Sequence, residues 1–364
     1  MVTFRRHSYV WISPLVSGSP NLLQNELQMT YQTSDNSSAD LAWSGAAMSR
    51  LPVTPCDRQI HTTAMTAFGI FLMVACRSAT ATAISDEAAE FTKEVCIVQD
   101  PLISEASGLA VSRTTPNAVW LHNDSGDLPR LFLIGLQGTT LGIVNVKDVT
   151  ATDWEDICSF ELDDASWLLV GDIGDNQRMR GTKSRPCQLL LLKEPKLKLP
   201  SATKMIAQST VEVVRRIEFQ FPDGAHDCES LAVDTVSRTI LLVTKADPFE
   251  SALYSLPLAL TTGKESLTAE RLAPLGVTYA TAMDVSSDGR HLAIVNMFSG
   301  VMLTREDPEK QSWAEASRGS ITVLTLPIRK QGESVCFTGD GNSLLLNSEG
   351  KSQPLWQVQL KTPE

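Results

Sequence analysis

The sequence predicts an all-β chain folded as a β-propeller of four-stranded blades. After residue 90 the chain is a succession of short apolar or alternating runs, such as SWLLVGDI and QLLLLK, separated by Gly, Pro, Asp and Asn. No long helical period appears. Five similar segments recur at a period of roughly fifty residues, and four strands at that period are typical of propeller blades.

Each of the five segments is expected to form the first strand of a blade. A second strand that ends in polar residues follows each one, with the endings HNDSG, GDIGDN, TKAD, NMFSG and NSEG. The count predicts five blades, with six as the alternative if the interval that holds QRMRGTKSRP contains another sheet. The five segments are EASGLAVS from Glu105, DWEDICSF from Asp153, DCESLAVD from Asp227, YATAMDVSSDG from Tyr279 and QGESVCFTGDG from Gln331.

The ends of the chain predict how the ring closes. The last repeat stops at LWQVQLKTPE and lacks a fourth strand, whereas FTKEVCIV, Phe91 to Val98, precedes the first repeat and has no partner there. We expect this N-terminal strand to complete the last blade, because closure removes exposed sheet edges.

The N-terminal region predicts export. Residues 1–63 are rich in Ser, Asn and Gln, which is typical of a disordered leader or a mis-assigned start. Residues 64–83 resemble a signal peptide: AMTAFGIFLMVAC is too short to span a membrane, and Ala81-Thr82-Ala83 offers a cleavage site. Residues 84–364 are then the propeller domain, located in the periplasm, outside the cell or on its surface. Met73 fits a lipoprotein signal poorly, so a lipid-anchored form is disfavoured.

Composition limits the partners. The net charge of −11 argues against nucleic acid, because phosphate binding requires a basic surface. We expect a soluble monomer without a membrane span. The seven cysteines form no CxxC pair, which disfavours zinc, and Cys158 and Cys336 are expected to be buried thiols.

The aligned first strands predict an acidic funnel. Ser107, Glu155, Glu229, Thr281 and Glu333 share one register, and Glu105, Asp153, Asp227, Tyr279 and Gln331 stand two residues earlier, on the same side of the strand. In a propeller the first strand lines the central channel. The polar ends of the second strands reach the same rim and add Asn123, Asp124, Asp172, Asp175, Asn176, Asn296, Asn347 and Glu349.

Oxygen ligands of this kind predict a divalent cation, Ca²⁺ with Mg²⁺ as the alternative. A second interpretation is that the acids only cap blade turns by accepting backbone N–H groups. Asp156 is expected at a turn or between blades, and Trp154 in the packing between blades. His122 and His226 are predicted near the rim as candidate general bases. The predicted metal ligands are Glu105, Asp153, Glu155, Asp172, Glu229, Glu333, Asn123 and Asn296.

The motifs NDSG, DWEDI, GDIGDN and FPDGAHDCESLAVD resemble a family of exported bacterial β-propeller proteins of unknown function, over roughly residues 100–360. The chain is more distantly similar to esterase-like phytases and to calcium-dependent propeller hydrolases of the gluconolactonase and paraoxonase type. That resemblance implies calcium held by channel Glu, Asn and Asp residues. Cys158, Cys228 and Cys336 stand where small residues are expected, and Ser107 and Thr281 interrupt the acids.

Three functions remain open at this point. The first is an exported propeller whose funnel binds a divalent cation together with a small-molecule, polymer or protein ligand. The second is a metal-dependent hydrolase of an ester, lactone or phosphate, with His122 or His226 as base. The third is a structural protein-interaction module.

Export gives a direct test. If the signal-like segment is cleaved, the secreted chain begins near Ile84, and N-terminal sequencing of the exported protein should read a sequence that starts there. A mature N-terminus within residues 1–63 would contradict this assignment.

Overall fold

The computed structural model describes residues 84–85, 89–199 and 205–361, which all belong to one compact unit. The predicted leader and signal-like segment, residues 1–83, lie outside the described residues. Two N-terminal strands precede the first blade. They are β1 (Ile84–Ser85) and β2 (Ala89–Ile97), and the first blade then consists of β3 (Ala106–Val111), β4 (Ala118–Asn123), β5 (Arg130–Gly135) and β6 (Thr140–Val146).

The second and third blades follow the same up-and-down order. The second is built from β7 (Trp154–Leu162), β8 (Ala165–Asp172) and β9 (Cys187–Lys193), and after β10 (Ala207–Val211) it is completed by β11 (Val213–Gln220). The third is built from β12 (Cys228–Asp234), β13 (Thr239–Thr244) and β14 (Ala252–Pro257), and after β15 (Gly263–Thr268) it is completed by β16 (Glu270–Pro274).

The fourth blade contains the one helix of the described residues. It is built from β17 (Ala280–Val285), β18 (His291–Asn296) and β19 (Gly300–Thr304), and after the short helix α1 (Trp313–Ala316) it is completed by β20 (Ile321–Leu324). Ser312 caps α1, and its backbone N–H donates to Glu315 in return. The fifth blade contributes β21 (Gly332–Phe337), β22 (Ser343–Ser348) and β23 (Pro354–Leu360).

Strand β2 closes the ring, as the sequence predicts. It pairs antiparallel with β23, from Ala89 opposite Leu360 to Ile97 opposite Pro354, and so forms the fourth strand of the fifth blade. Five four-stranded blades therefore form a five-bladed propeller. The six-blade alternative is wrong, because within the described residues QRMRGTKSRP lies in the loop between β8 and β9, and the extra strand of this interval, β10, joins the first blade.

Three blades carry a fifth strand that the sequence analysis did not predict. β10 pairs in parallel with β6, β15 with β11, and β1 with β20. In each case the segment before the fourth strand of one blade joins the outer edge of the preceding blade. These pairings cover sheet edges that would otherwise be open to association.

The core lies between neighbouring blades. Five apolar clusters fill the five blade-to-blade interfaces. Strand β9 shows the cause: Leu189 and Leu191 contribute to the cluster shared with the third blade, whereas Leu190 and Leu192 contribute to the cluster shared with the first. Side chains alternate between the faces of a strand, so a sheet buried on both faces requires a continuous apolar run.

The topology places two sets of loops on opposite faces of the ring. We call the face with the loops that precede each first strand and follow each second strand the mouth. The mouth consists of residues 98–105, 124–129, 147–153, 173–186, 221–227, 245–251, 275–279, 297–299, 325–331 and 349–353.

The described residues were searched for membrane-spanning helices and for disulfides. None of their helices is long and apolar enough to cross a lipid bilayer. Their five cysteines carry free thiols, and Cys158 and Cys336 are buried as predicted.

Ring closure by β2 can be tested with two truncated chains. A chain that begins at residue 99 lacks β2 and exposes the edge of β23, so we expect a lower urea midpoint and concentration-dependent association. A chain that begins at residue 87 lacks only β1 and serves as the matched control. Equal midpoints for the two chains, with no association, would show that β2 is dispensable.

Candidate functional site

The first strand of every blade carries a one-residue shift of register against the second strand. The shift lies at the same place in each blade, near the end of the strand at the mouth. A β-bulge of this kind leaves one residue unpaired and re-aims the side chains beside it. The five residues that the alignment places in one register all fall within these bulges: Ser107, Glu155, Glu229, Thr281 and Glu333.

The two hydroxyl residues of this ring connect blades. Ser107 Oγ donates to the backbone carbonyl of Glu155 at 2.5 Å, and Thr281 Oγ1 donates to that of Gly332 at 2.9 Å. Each bond joins a first strand to the first strand of the next blade. The interruptions in the ring of acids are therefore structural links, and the three glutamates are left to carry charge.

Three carboxylates meet on the side of the mouth formed by the first two blades. One ligand oxygen each from Asp124, Asp153 and Glu155 lies within 4.8 Å of the others. Asp124 begins the NDSG loop after β4, where its N–H donates to the Glu105 carbonyl at 2.8 Å. Asp153 precedes β7, and Glu155 lies in the bulge of that strand. We call these three residues the acidic cluster.

Gly174 of the GDIGDN loop packs directly on the acidic cluster. Its N–H donates to the Asp153 carbonyl at 3.2 Å. A Cβ at this position would overlap Glu155 Oε1 and lie 2.6 Å from Asp153 Oδ2. Only a residue without a side chain lets the loop approach the carboxylates this closely. The same loop borders an open cavity of about 350 Å³ that Asp153 also lines.

Two carboxyl groups of the acidic cluster, Asp153 and Glu155, have raised pKa values. Burial and the charge of Asp124 raise the pKa of Asp153 to about 6. Burial, together with Glu229 and Asp124, raises the pKa of Glu155 well above its ordinary value. Within the described residues, neither side-chain carboxylate accepts a hydrogen bond that would offset this repulsion. Carboxylates in this condition favour any cation that can reach them.

Lys245 supplies the positive charge on the other side of the ring. Its ammonium pairs with Glu229 and also interacts with Glu333 and Glu155, and although burial opposes its charge these acids raise its pKa. One lysine shared among several carboxylates cannot neutralise them all. Burial therefore still raises the pKa of Glu229 to about 8 and that of Glu333 to about 7.

Asp172, Asn123 and Asn296 satisfy local backbone groups. Asp172 accepts the N–H of Asp153 at 3.1 Å and pairs with Arg180 at 2.6 Å. Asn123 accepts the N–H of Ser104 and Glu105, and Asn296 accepts those of Phe298 and Ser299. This is the turn-capping role considered from the sequence.

The remaining predicted ligands are not members of the acidic cluster. Glu105 is exposed and interacts with Glu349, while Glu229 and Glu333 share Lys245. The structure thus brings two of the eight predicted ligands, Asp153 and Glu155, together with Asp124, which the sequence placed at the same rim without naming it as a ligand.

The two predicted histidines have different surroundings. His122 is fully buried, with Nδ1 2.9 Å from the Asn123 carbonyl and its ring edge-to-face with Trp154 at 5.5 Å, and burial lowers its pKa. His226 Nε2 lies 2.9 Å from Asp223 Oδ1 and 3.3 Å from the Tyr254 hydroxyl. Within the described residues, neither imidazole hydrogen bonds to the acidic cluster. Their catalytic role stays a prediction.

Below the mouth, two buried aspartates hold the first strands together. Asp156 accepts the N–H groups of Ile157, Leu231 and Met283 at 2.9, 3.0 and 3.2 Å, and so joins three blades. Sequence reasoning missed Asp284, which accepts the Phe337 N–H at 2.8 Å and whose pKa burial raises to about 7. An acid inside the apolar run AMDV was the available signal.

Comparison with known proteins gives no family. No family model matches the chain, and no curated protein matches it. Many solved structures are similar to the chain in part, and three of them have 8–13% identity with it. None of these similarities carries an argument about what this chain binds or does.

Each of the three structures matches more than two thirds of this chain. The PQQ-bound aldose sugar dehydrogenase of Streptomyces coelicolor matches with TM-score 0.44 and 8% identity, over 76% of this chain and 100% of that chain. The Pan2 WD40 domain of Neurospora crassa matches with TM-score 0.39 and 10% identity, over 77% and 98%. A nidogen/laminin complex matches with TM-score 0.36 and 13% identity, over 68% and 73%.

The raised pKa values predict an inverted pH dependence. The pKa values of Asp153, Glu155, Glu229 and Glu333 exceed those of the unfolded chain, so the native state holds more protons. With a chelator present, the free energy of unfolding should therefore fall as the pH rises from about 5 to about 8. The decrease is about 1.4 kcal/mol per pH unit for each extra proton that the native state holds, and it is smaller where solvent screens the charge. Urea midpoints across this range measure it.

Two variants serve as a matched pair for this prediction. Glu229→Gln removes one raised carboxyl and should flatten the slope, whereas Glu161→Gln, an exposed residue of β7, should leave the slope unchanged. A midpoint that rises with pH in chelator would contradict the analysis of the ring.

Proposed function

We propose that the chain binds a divalent cation at the acidic cluster, Ca²⁺ with Mg²⁺ as the alternative. The supporting observation is the convergence of Asp124, Asp153 and Glu155, whose oxygens lie within 4.8 Å of one another. Two oxygens bound to one Ca²⁺ at about 2.4 Å can be at most about 4.8 Å apart, so this spacing fits a shared ion.

The chemistry of the donors fits the same ion. Carboxylate oxygens without nitrogen or sulfur suit Ca²⁺ or Mg²⁺ rather than zinc or copper. Calcium accepts irregular coordination, whereas magnesium requires a near-octahedral set, and this favours calcium for an unsymmetrical group of three carboxylates. Gly174 supports the proposal, because a Cβ at this position would overlap the carboxylate oxygens that are proposed to bind the ion.

A ligand would complete the coordination. Calcium takes about six to eight oxygens, and three side chains leave positions for water or for a carbonyl, carboxylate or phosphate oxygen of a ligand. The cavity of about 350 Å³ lined by Asp153, Asp175 and Arg180 gives such a ligand room beside the ion. We propose that this cavity, together with the ring of glutamates, is the ligand-binding side of the mouth.

Hydrolysis of an ester, lactone or phosphate is the second candidate. Open coordination positions beside a cavity favour it, because a bound metal can polarise a substrate oxygen. The hydrolase proposal has less support, because neither histidine is placed as a general base. His122 is fully buried, and His226 contacts Asp223 and Tyr254. Cation binding is therefore the primary proposal.

Export belongs to the same proposal. The signal-like pattern at residues 64–83 supports it, and calcium is a suitable ligand for a protein outside the cytoplasm because extracellular modules bind it weakly, at about 0.1–1 mM.

Thermal unfolding tests the cation proposal. Chelated protein should show a midpoint that rises with added Ca²⁺, because a ligand that binds only the native state stabilises it by about 2.7 kcal/mol at a hundredfold excess over Kd. For a chain of this size that corresponds to a rise of roughly 5 °C or more. Differential scanning fluorimetry over a calcium titration measures it.

Variants place the effect at the acidic cluster. Asp153→Asn and Glu155→Gln should remove the calcium-dependent rise, and Gly174→Ala should weaken it without removing a charge, since the new Cβ displaces the carboxylates. Glu161→Gln is the control and should keep the full rise. A rise that survives both acid variants would assign the ion to another site, and no rise with either metal would reject cation binding.

A further inference from the structure

Exposed apolar side chains cluster on the mouth of the third to fifth blades. Four of them stand in successive loops there: Phe249, Tyr279, Phe298 and Ile328, with 81%, 51%, 75% and 98% of their surface exposed. We call these four residues the apolar rim. Scattered single apolar residues are normal on a protein surface, but a contiguous group marks an interaction site.

Hydrogen bonds join the loops that carry the apolar rim. The Tyr279 N–H donates to the Ala246 carbonyl at 2.8 Å, which joins the loop of Phe249 to the next. Asn296 Nδ2 donates to the Thr278 carbonyl at 3.0 Å, and Arg329 Nη2 donates to the Asn296 carbonyl at 3.1 Å. The loops that carry all four side chains are thus fixed to one another.

The backbone at Tyr279 is held in an unfavourable conformation. Its φ of 45° lies in the left-handed region, which is an energetically unfavourable outlier for a bulky residue. Tyr279 takes the alignment position that Glu105, Asp153 and Gln331 occupy in other blades. Its aromatic side chain is half exposed at the mouth in spite of that cost.

The loops of the mouth that follow the apolar rim around the ring carry acidic residues. Going around the ring from Ile328, the next mouth loops carry Glu349 and the exposed Glu105. Glu105 and Asp124 repel Glu349, and the exposed Lys330 and Lys351, on the loops of Ile328 and Glu349, offset part of this negative charge. The surface therefore changes from apolar to negative along one direction.

We propose that the apolar rim and the adjoining Glu349 and Glu105 form the docking site of a polypeptide segment that carries apolar side chains followed by a lysine or arginine. The apolar side chains would lie on Phe249, Tyr279, Phe298 and Ile328, and the basic group would reach the two glutamates. This site adjoins the acidic cluster at Glu105, whose carbonyl accepts the Asp124 N–H, but it uses other side chains and does not require a bound metal.

Three other occupants fit the surface less well. Small molecules bind in concave sites, whereas side chains as exposed as Ile328 and Phe298 project from the surface. A second copy in a two-fold dimer would bring two identical acidic mouths together, which like-charge repulsion opposes. An anionic membrane would be repelled by the same carboxylates.

Peptide selection on the immobilised full chain tests the proposal. A random-peptide phage library is selected in calcium and, separately, in chelator, and an enriched peptide is synthesised with a fluorescent label for anisotropy titration. We expect enriched sequences that combine aromatic or aliphatic residues with a lysine or arginine on one side, under both conditions. Enrichment of acidic sequences, or of none above an unrelated control protein, would overturn the proposal.

Variants identify the surface. Phe298→Ser and Ile328→Ser should each lower the affinity for the labelled peptide at least about fivefold, because truncation of an apolar side chain that a partner buries has an effect of this size. Glu349→Gln should weaken it about two- to fivefold and reduce its salt dependence. These residues are exposed or at the rim, so folding should be retained, and equal thermal midpoints would confirm it. Met205→Ser, at a position 67% exposed away from the mouth, is the matched control and should bind normally.

The outcomes also separate the alternative occupants. Peptide binding unchanged in Phe298→Ser and Ile328→Ser would reject this surface. Rim-dependent sedimentation with vesicles of anionic phospholipid, or rim-dependent dimerisation in analytical ultracentrifugation, would replace the polypeptide by a membrane or by a second copy. Loss of calcium-induced stabilisation alone would leave the docking site intact, because peptide binding is measured in chelator as well.

Discussion

The one-residue bulge near the start of each first strand is the constraint on which the mouth of this propeller depends. It recurs in all five blades at the same position, and it leaves one residue per blade outside the ladder of backbone hydrogen bonds. In two blades that residue is a serine or threonine whose hydroxyl joins the next blade. In three it is a glutamate. The bulge thus determines which side chains meet at the axis, and the outer strands only support it.

This constraint explains why the stretch TDWEDICSF gathers three acids at the edge of an apolar strand. Asp153 and Glu155 meet Asp124 at the mouth, while Asp156 accepts three backbone N–H groups from three blades. The acids serve two different purposes. Asp156 is satisfied and structural, whereas the carboxylates of Asp153 and Glu155 lack hydrogen-bond donors among the described residues and repel one another. Native structures keep such unfavourable groups mainly where function requires them, because their burial lowers the stability of the fold.

Much of the architecture could be predicted from the sequence because each blade repeats the same local pattern. The apolar runs, the turn residues and the register of Ser107, Glu155, Glu229, Thr281 and Glu333 are local properties of the chain. Strand β15, GKESLT, which joins the outer edge of the second blade as a fifth strand, has no apolar run, because it pairs only at that edge. The hydrogen-bond partners of Asn123 and Asn296 depend on which backbone groups the neighbouring loops leave unpaired. The burial of His122 depends on the space that the missing side chain of Gly108 leaves. Those properties arise only when distant segments pack together.

Isothermal titration calorimetry with calcium tests the central claim most directly. If burial and the neighbouring carboxylates raise the pKa values of Asp153 and Glu155, so that these two side chains hold protons near pH 6, calcium must displace part of those protons on binding. We expect one calcium per chain, and an apparent binding heat that differs between two buffers of different ionisation enthalpy by an amount that corresponds to released protons. Absence of calcium binding to the folded chain would contradict the account, and binding without proton release would show that the ion lies away from these carboxylates.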